Sequence, residues 1–507
     1  VGGGAGRAAR IGEGRIVGVT TTHNQAPPSP DGLALGRASQ VRDGSRVVIV
    51  GGGPGGYEAA LVAAQLGAQV TLVERSGLGG AAVLTDVVPS KTLIATAEWM
   101  AAAETAAELG IRPEGAGPGG RHTVDLARVN RRVGELARTQ SADIRDRLER
   151  EGVRVRAGTG RLLGPDRVEL ADTSGGPRSV LDADNILLAT GASPRVLPGA
   201  QPDGERILTW NQLYDLAELP ERLVVVGSGV TGAEFAGAYL SLGSQVTLVS
   251  SRDRVLPDQD EDAARVVEGV FRRRGMQVLA RSRAVSARRT GDGVVVGLAD
   301  GRSVRGSHCL VAVGAVPNTA GLGAEAAGVA LTSSGHIQVD RVSRTTARGV
   351  YAAGDCTGVL PLASVAAMQG RIAMWHALGD AVAPLQLATV ASTVFTAPEI
   401  AAVGVAEGAV RDGSVPATVT TLPLARNPRA KMLGIKDGFV KVFAQTGSAV
   451  VLGGVVVGPR ASELVFPITL AVAHRLTVDQ VALAFTVYPS LTGSIAEAAR
   501  VLHPVTG

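Results

Sequence analysis

Residues Arg46 to Glu74 read RVVIVGGGPGGYEAALVAAQLGAQVTLVE. Four branched apolar residues follow Arg46, a pattern that suits a strand buried on both faces. Gly51, Gly53 and Gly56 then make G-x-G-x-x-G ahead of an alanine-rich run, and a second apolar segment ends on Glu74. Such glycines keep side chains out of the turn, so a pyrophosphate can rest on the helix N-terminus, where unpaired N–H groups and the dipole favour anions. Glu74 stands 18 residues beyond Gly56 (74 minus 56), near the spacing at which a carboxylate reaches ribose hydroxyls. The stretch therefore predicts a strand–turn–helix–strand unit that binds a dinucleotide.

The unit returns at Leu223 to Ser250 as LVVVGSGVTGAEFAGAYLSLGSQVTLVS. The offset is 176 (227 minus 51): the triad recurs as Gly227, Gly229 and Gly232, Glu58 matches Glu234, and Ser250 falls where the first copy has Glu74. Two fingerprints predict two dinucleotide sites. At the second, the missing acid, with Ser251 and Arg252 following and Arg254 near, suits a nucleotide that carries a 2′-phosphate, because arginine can pair with it through several donors. If this site takes NAD(P), NADPH is expected to be accepted at least as well as NADH.

A chain of 507 residues exceeds one core, and two to four domains are expected. Its 67 glycines suit many tight turns. Net charge is +4 and aromatic residues make up 3%, so neither the basic stripe nor the stacking platform of a nucleic-acid binder is present. Arg272 to Arg274 precede Gly275 and read as cations in the last turn of a helix before a glycine cap. No apolar run approaches the ~18 residues of a membrane span, and few cysteines suit a reducing cytoplasm. Cys309 lies in an apolar run and reads as core, Cys356 as a loop side chain, and the two form no metal or CxxC spacing. None of His23, His122, His308, His336, His376, His474 and His503 forms a metal or triad spacing, so no metal is expected. Residues 1–44, rich in Gly, Arg, Ala and Pro, read as a disordered or wrongly started extension.

The stretch Gly79 to Lys91, GGAAVLTDVVPSK, resembles the active-site helix of the pyridine nucleotide-disulfide oxidoreductases, and the resemblance runs from about residue 45 to residue 500. It implies an α/β fold of two Rossmann-like domains, one for FAD and one for NAD(P), followed by a C-terminal α+β dimerisation domain. The implied boundaries are 45–196 and 324–390 for the two parts of the FAD domain, 197–323 for the NAD(P) domain and 391–507 for the last. By the same resemblance Thr190 and Gly191 belong to the turn between the first two domains, Gly160 contacts the FAD adenine, Gly314 lies on the strand returning from the NAD(P) domain, and Asp355 holds the ribityl chain. Lys91 and Glu234 are implied as a pair beside the flavin and the nicotinamide. Lysine is rare here, four among 50 basic residues, so its use at position 91 points to a site that needs a compact ammonium.

The chain departs from the family where the family does disulfide chemistry. Ala82 and Val87 stand at the two redox cysteines, and Tyr488 and Gly493 at the His and Glu of the partner subunit's base. A tyrosine of ordinary pKa, ~10, cannot act as a base near neutrality, though it can donate a hydrogen bond. The expectation is a homodimeric flavoprotein that takes hydride from NADPH or NADH and reduces a small diffusible acceptor, a quinone. The alternatives are a soluble transhydrogenase, favoured by SSRDRVL at Ser250 to Leu256, and a non-catalytic flavin-binding redox sensor.

Overall fold

The computed structural model describes residues 44–106, 110–111, 123–173 and 175–503. The N-terminal extension, with His23, and also His122, lie outside these residues. Each fingerprint stretch folds as its pattern predicts. Arg46–Val50 and Gln69–Glu74 are parallel neighbours joined by the helix Pro54–Gln65. Arg222–Val226 and Gln245–Val249 repeat the arrangement around the helix Val230–Leu242. Both strand pairs are buried apart from their ends and the half-buried Thr247, as central parallel strands must be.

The first pair belongs to a seven-stranded sheet in the spatial order Val350–Ala352, Asn185–Leu188, Arg46–Val50, Gln69–Glu74, Arg154–Gly164, then the antiparallel Arg167–Asp172 and Ser179–Asp182. The second lies in a five-stranded parallel sheet whose chain is inserted between Asn185–Leu188 and Val350–Ala352 of the first. The two crossings are zipped together: Ala192–Pro194 pairs antiparallel with Ala315–Pro317, and Asn318 donates to the Thr190 carbonyl at 2.9 Å. A third sheet, of five antiparallel strands from Ser392–Val394 to Val451–Gly458, packs with the helices Phe466–Ala473 and Gly493–Val501. The helix Glu261–Arg273 ends on Arg274 and Gly275, the latter at φ +92°, as the basic run predicts.

Charge joins the second sheet's unit to the third. Lys441, 1% exposed, places its ammonium 2.9 Å from Asp260, 2.9 Å from Asp262 and 2.6 Å from Glu407. Those three acids are close enough to share a cation, and the ammonium is the cation they share. Among the described residues no helix is long and apolar enough to cross a membrane.

Candidate active site

The two glycine triads divide their labour in the same way. A Cβ on Gly51, at φ +107°, would lie 2.2 Å from the Ala189 carbonyl oxygen, and one on Gly56 would lie 1.8 Å from that of Gly51. Gly227 and Gly232 repeat this at 2.1 and 1.9 Å from Ala312 and Gly227. These outer glycines are required by the fold itself. The middle ones are not: a Cβ on Gly53 would meet nothing closer than 4.0 Å, and one on Gly229 nothing within 4 Å. Both turn helices also begin without a side-chain cap, whereas Asp125 and Asp260 cap theirs. Uncapped N–H groups beside open space are what a pyrophosphate requires.

Around the first turn, Glu74 accepts from the N–H groups of Gly52 and Ser76, both at 2.6 Å. Gly160 lies beneath Val50, whose methyl carbons would come within 2.9 Å of an added Cβ, so a close approach to the core already requires this glycine. Thr190 keeps a buried hydroxyl without a partner, next to Gly191 at φ +67°. Asp355 follows Gly354, itself at φ +81°; burial raises its pKa above the ordinary carboxylate value, with His336 opposing. Gly314, at φ +93°, bonds its carbonyl to Arg195. Residues able to hold the pyrophosphate, ribose and ribityl portions of an FAD are thus gathered at the carboxyl ends of one sheet's parallel strands, and an open space and an orphaned hydroxyl fit such a group.

At the second turn, Ser250 does not face solvent as an acid at that position would need to. It is fully buried and bonded to the Ser228 hydroxyl at 2.7 Å, while Ser251 and Arg252 are exposed. Arg254 is folded back, donating to the Pro257 carbonyl at 3.0 Å with its Nε buried and unpartnered.

Between the two turns three distant segments converge. Lys91, in the first turns of the helix Val87–Ala106, donates to Glu234 at 2.8 Å. Glu234 is 3% exposed, and its second oxygen accepts from the Phe395 N–H at 2.8 Å; the Lys91 ammonium stands 5.0 Å from the Phe395 ring centre. The corresponding acid of the first copy, Glu58, is used differently, in an ion pair with Arg371.

Gly79 to Lys91 is not one helix. The helix Gly80–Leu84 ends at Thr85, and a new one starts at Val87. Asp86 sits in the break, its N–H bonded to the Ala81 carbonyl and its own carbonyl to Ser90. Burial pushes its pKa up; Lys91 pulls it down, while Glu234 and Asp355 push it further up. Tyr214, whose buried hydroxyl lacks a partner, feels the Asp86 charge as well. Sequence reasoning passed over Asp86, although an acid within an apolar run was a visible signal. The cysteines lie in two different cores, and burial raises the Cys309 thiol to about 12 and the Cys356 thiol to about 11. Cys356 lies in the short turn Asp355–Thr357 between longer elements, and its side chain is fully buried.

Tyr488 is not brought to this centre within one chain. It is 83% exposed, beside the exposed Leu483, Phe485 and Val487. Gly493 begins a helix and supplies no side chain.

Comparison with known proteins agrees with this architecture. The family model for pyridine nucleotide-disulphide oxidoreductases matches residues 45–370, and that family's dimerisation-domain model matches residues 390–499. An NAD(P)H dehydrogenase (quinone) from Mycobacterium tuberculosis is 55% identical over 465 residues, spanning 90% of this chain and 93% of that protein. A dihydrolipoyl dehydrogenase from Chlorobaculum parvum is 33% identical over 457 residues, 89% of this chain and 96% of its own. The crystal structure of LpdA from Mycobacterium tuberculosis superposes with a TM-score of 0.86 at 54% identity, covering 91% of this chain and all of that one.

Proposed function

The chain belongs to the pyridine nucleotide-disulphide oxidoreductase family, and on that premise we propose that it is an FAD-dependent NAD(P)H oxidoreductase that reduces quinones without a dithiol. One observation carries the reading. The Lys91–Glu234 pair is built, with Glu234 buried and Lys91 partly open, while Ala82 and Val87 leave no sulfur on the segment that leads to it.

Bound FAD supplies the two-electron relay between nicotinamide and acceptor. The protein's part is to hold, orient and exclude. Gly51, Gly53, Gly56 and Glu74 hold the nucleotide end, with Gly160, Thr190, Gly191 and Asp355 along the rest. Gly227, Gly229 and Gly232 receive the NAD(P)H pyrophosphate, and Ser251 and Arg252 favour the 2′-phosphate of NADPH. Glu234 fixes the Lys91 ammonium, so a positive charge stands ready where negative charge develops. Asp86, the acid at the break, keeps its proton to a higher pH than an ordinary carboxylate. The apolar surface at Ala82 and Val87 accepts a flat ring. A second copy covers the exposed apolar face at Leu483 to Tyr488, and the Tyr488 hydroxyl then reaches the neighbour's acceptor as a hydrogen-bond donor. The relative named NAD(P)H dehydrogenase (quinone) supports this choice of acceptor.

An acceptor panel tests the proposal. Benzoquinones and naphthoquinones should stimulate NADPH oxidation, while lipoamide and glutathione disulfide should not, because both need an attacking thiolate. Tyr488→Phe should slow the quinone step by about fivefold, the equivalent of one hydrogen bond of ~1 kcal/mol. Robust turnover of lipoamide, or no response to any quinone, would contradict it.

A further inference from the structure

Beyond the loop that carries Arg252, a second arginine reaches the same corner from another segment. The strand Gln277–Leu279 lies parallel to Gln245–Val249, and the backbone pairing continues past both strand ends. Ser282 N–H donates to the Ser250 carbonyl at 2.7 Å, and Arg281 N–H donates to the Arg252 carbonyl at 2.7 Å. Arg252 and Arg281 are therefore adjacent across that hydrogen bond. The corner is tied to the second glycine turn through the Ser228–Ser250 contact at 2.7 Å.

Two features mark Arg281. Its backbone is left-handed, at φ +50°, a conformation that costs a non-glycine residue on the order of 1 kcal/mol. A glycine or asparagine would relieve that cost, yet the position holds a long cation. Arg281 and Arg252 are also both exposed, and neither guanidinium has a hydrogen-bond or ion-pair partner among the described residues. Three other arginines of the region are engaged, Arg254 with the Pro257 carbonyl, Arg272 with Glu268 and Arg302 with Asp300. Arg283, exposed and without a side-chain partner among the described residues, lacks the backbone bond to Arg252 that Arg281 makes.

We propose that Arg281 and Arg252 together clamp the 2′-phosphate of NADPH, which makes Arg281 a specificity-determining residue. The inference rests on the NADPH reading above and adds a residue from outside the fingerprint loop. A phosphomonoester carries close to two negative charges and three acceptor oxygens, enough for two guanidinium forks at once. NADH offers a hydroxyl at that place and gains nothing from either fork.

Calorimetric titration of the FAD-loaded protein with adenosine 2′,5′-bisphosphate and with 5′-AMP tests this without turnover. Arg281→Asn keeps a residue that tolerates the left-handed backbone, and Arg252→Gln serves as the companion. Each should weaken the bisphosphate by about tenfold or more, as loss of a charge-assisted hydrogen bond does, and leave 5′-AMP nearly unchanged. Arg281→Lys should recover part of the loss. If Arg281→Asn binds the bisphosphate like wild type while Arg252→Gln does not, the inference is wrong and the NADPH reading stands. Equal weakening of both ligands would make Arg281 merely structural. A wild-type protein that binds both ligands equally would overturn the NADPH reading and this inference with it.

Discussion

Asp86 carries a sharp prediction at the scale of one residue. Its folded pKa lies above the ordinary carboxylate value of 3.8, chiefly through burial. Between the unfolded and folded values the native state keeps a proton that the unfolded chain has released, so stability falls as pH rises through that window. Asp86→Asn removes this share, and above the folded pKa the variant should be the more stable, by about 1.4 kcal/mol per unit of displacement. Urea midpoints of the apoprotein against pH, wild type minus variant, isolate the effect from Asp355, whose shift has the same direction. A difference curve that is flat, or that favours wild type at neutral pH, would contradict the account. Asp86 was visible as an acid within an apolar run, but its environment was not, because that environment is assembled from positions near 214, 234 and 355. Lys91 and Glu234 could be read because lysine is rare and the second fingerprint places an acid where the family resemblance expects one.

At the scale of an element, the middle and outer glycines of each turn should fail differently. Gly229→Ala adds a methyl to open space on an extended backbone, φ −71°, so the protein should melt as wild type while nucleotide affinity falls by about tenfold or more, since the methyl displaces a bound group. Gly227→Ala drives a carbon to 2.1 Å from a carbonyl oxygen at φ +111°, and should cost about 2 kcal/mol or more of stability, with nucleotide binding lost as a consequence. Differential scanning fluorimetry beside nucleotide titration separates the two, and a Gly229→Ala protein that binds normally would sink the assignment of that space to a ligand. The two βαβ units were legible because strand, turn and helix are contiguous and the pattern repeats. The break at Thr85 and Asp86 was passed over, although two polar residues interrupt the apolar run there and Pro89 falls in the first turn of the helix that follows.

For the whole molecule, Lys441 joins parts of the chain that contiguity cannot connect. Asp260 lies 181 residues from it and Glu407 lies 34 away, so only the folded arrangement reveals the cluster. Burial opposes its charge, but the carboxylates outweigh that and hold its pKa above the ordinary value. Lys441→Met would leave the 4%-exposed Asp260 without a cation beside two acids that keep only their outer arginines, Arg265 and Arg411, and should cost roughly 3–5 kcal/mol, seen as an early calorimetric transition of the second sheet's unit. A variant that melts in one transition at the wild-type temperature would show the cluster to be dispensable.

The central claim is that electrons pass through the flavin to the acceptor with no thiol pair between them. An anaerobic titration of the FAD-loaded protein with NADPH or dithionite counts the redox centres directly. The account predicts full bleaching of the flavin by one two-electron equivalent per FAD, with no long-wavelength band from a thiolate beside the flavin. Uptake of two such equivalents per FAD, or the appearance of that band, would contradict it.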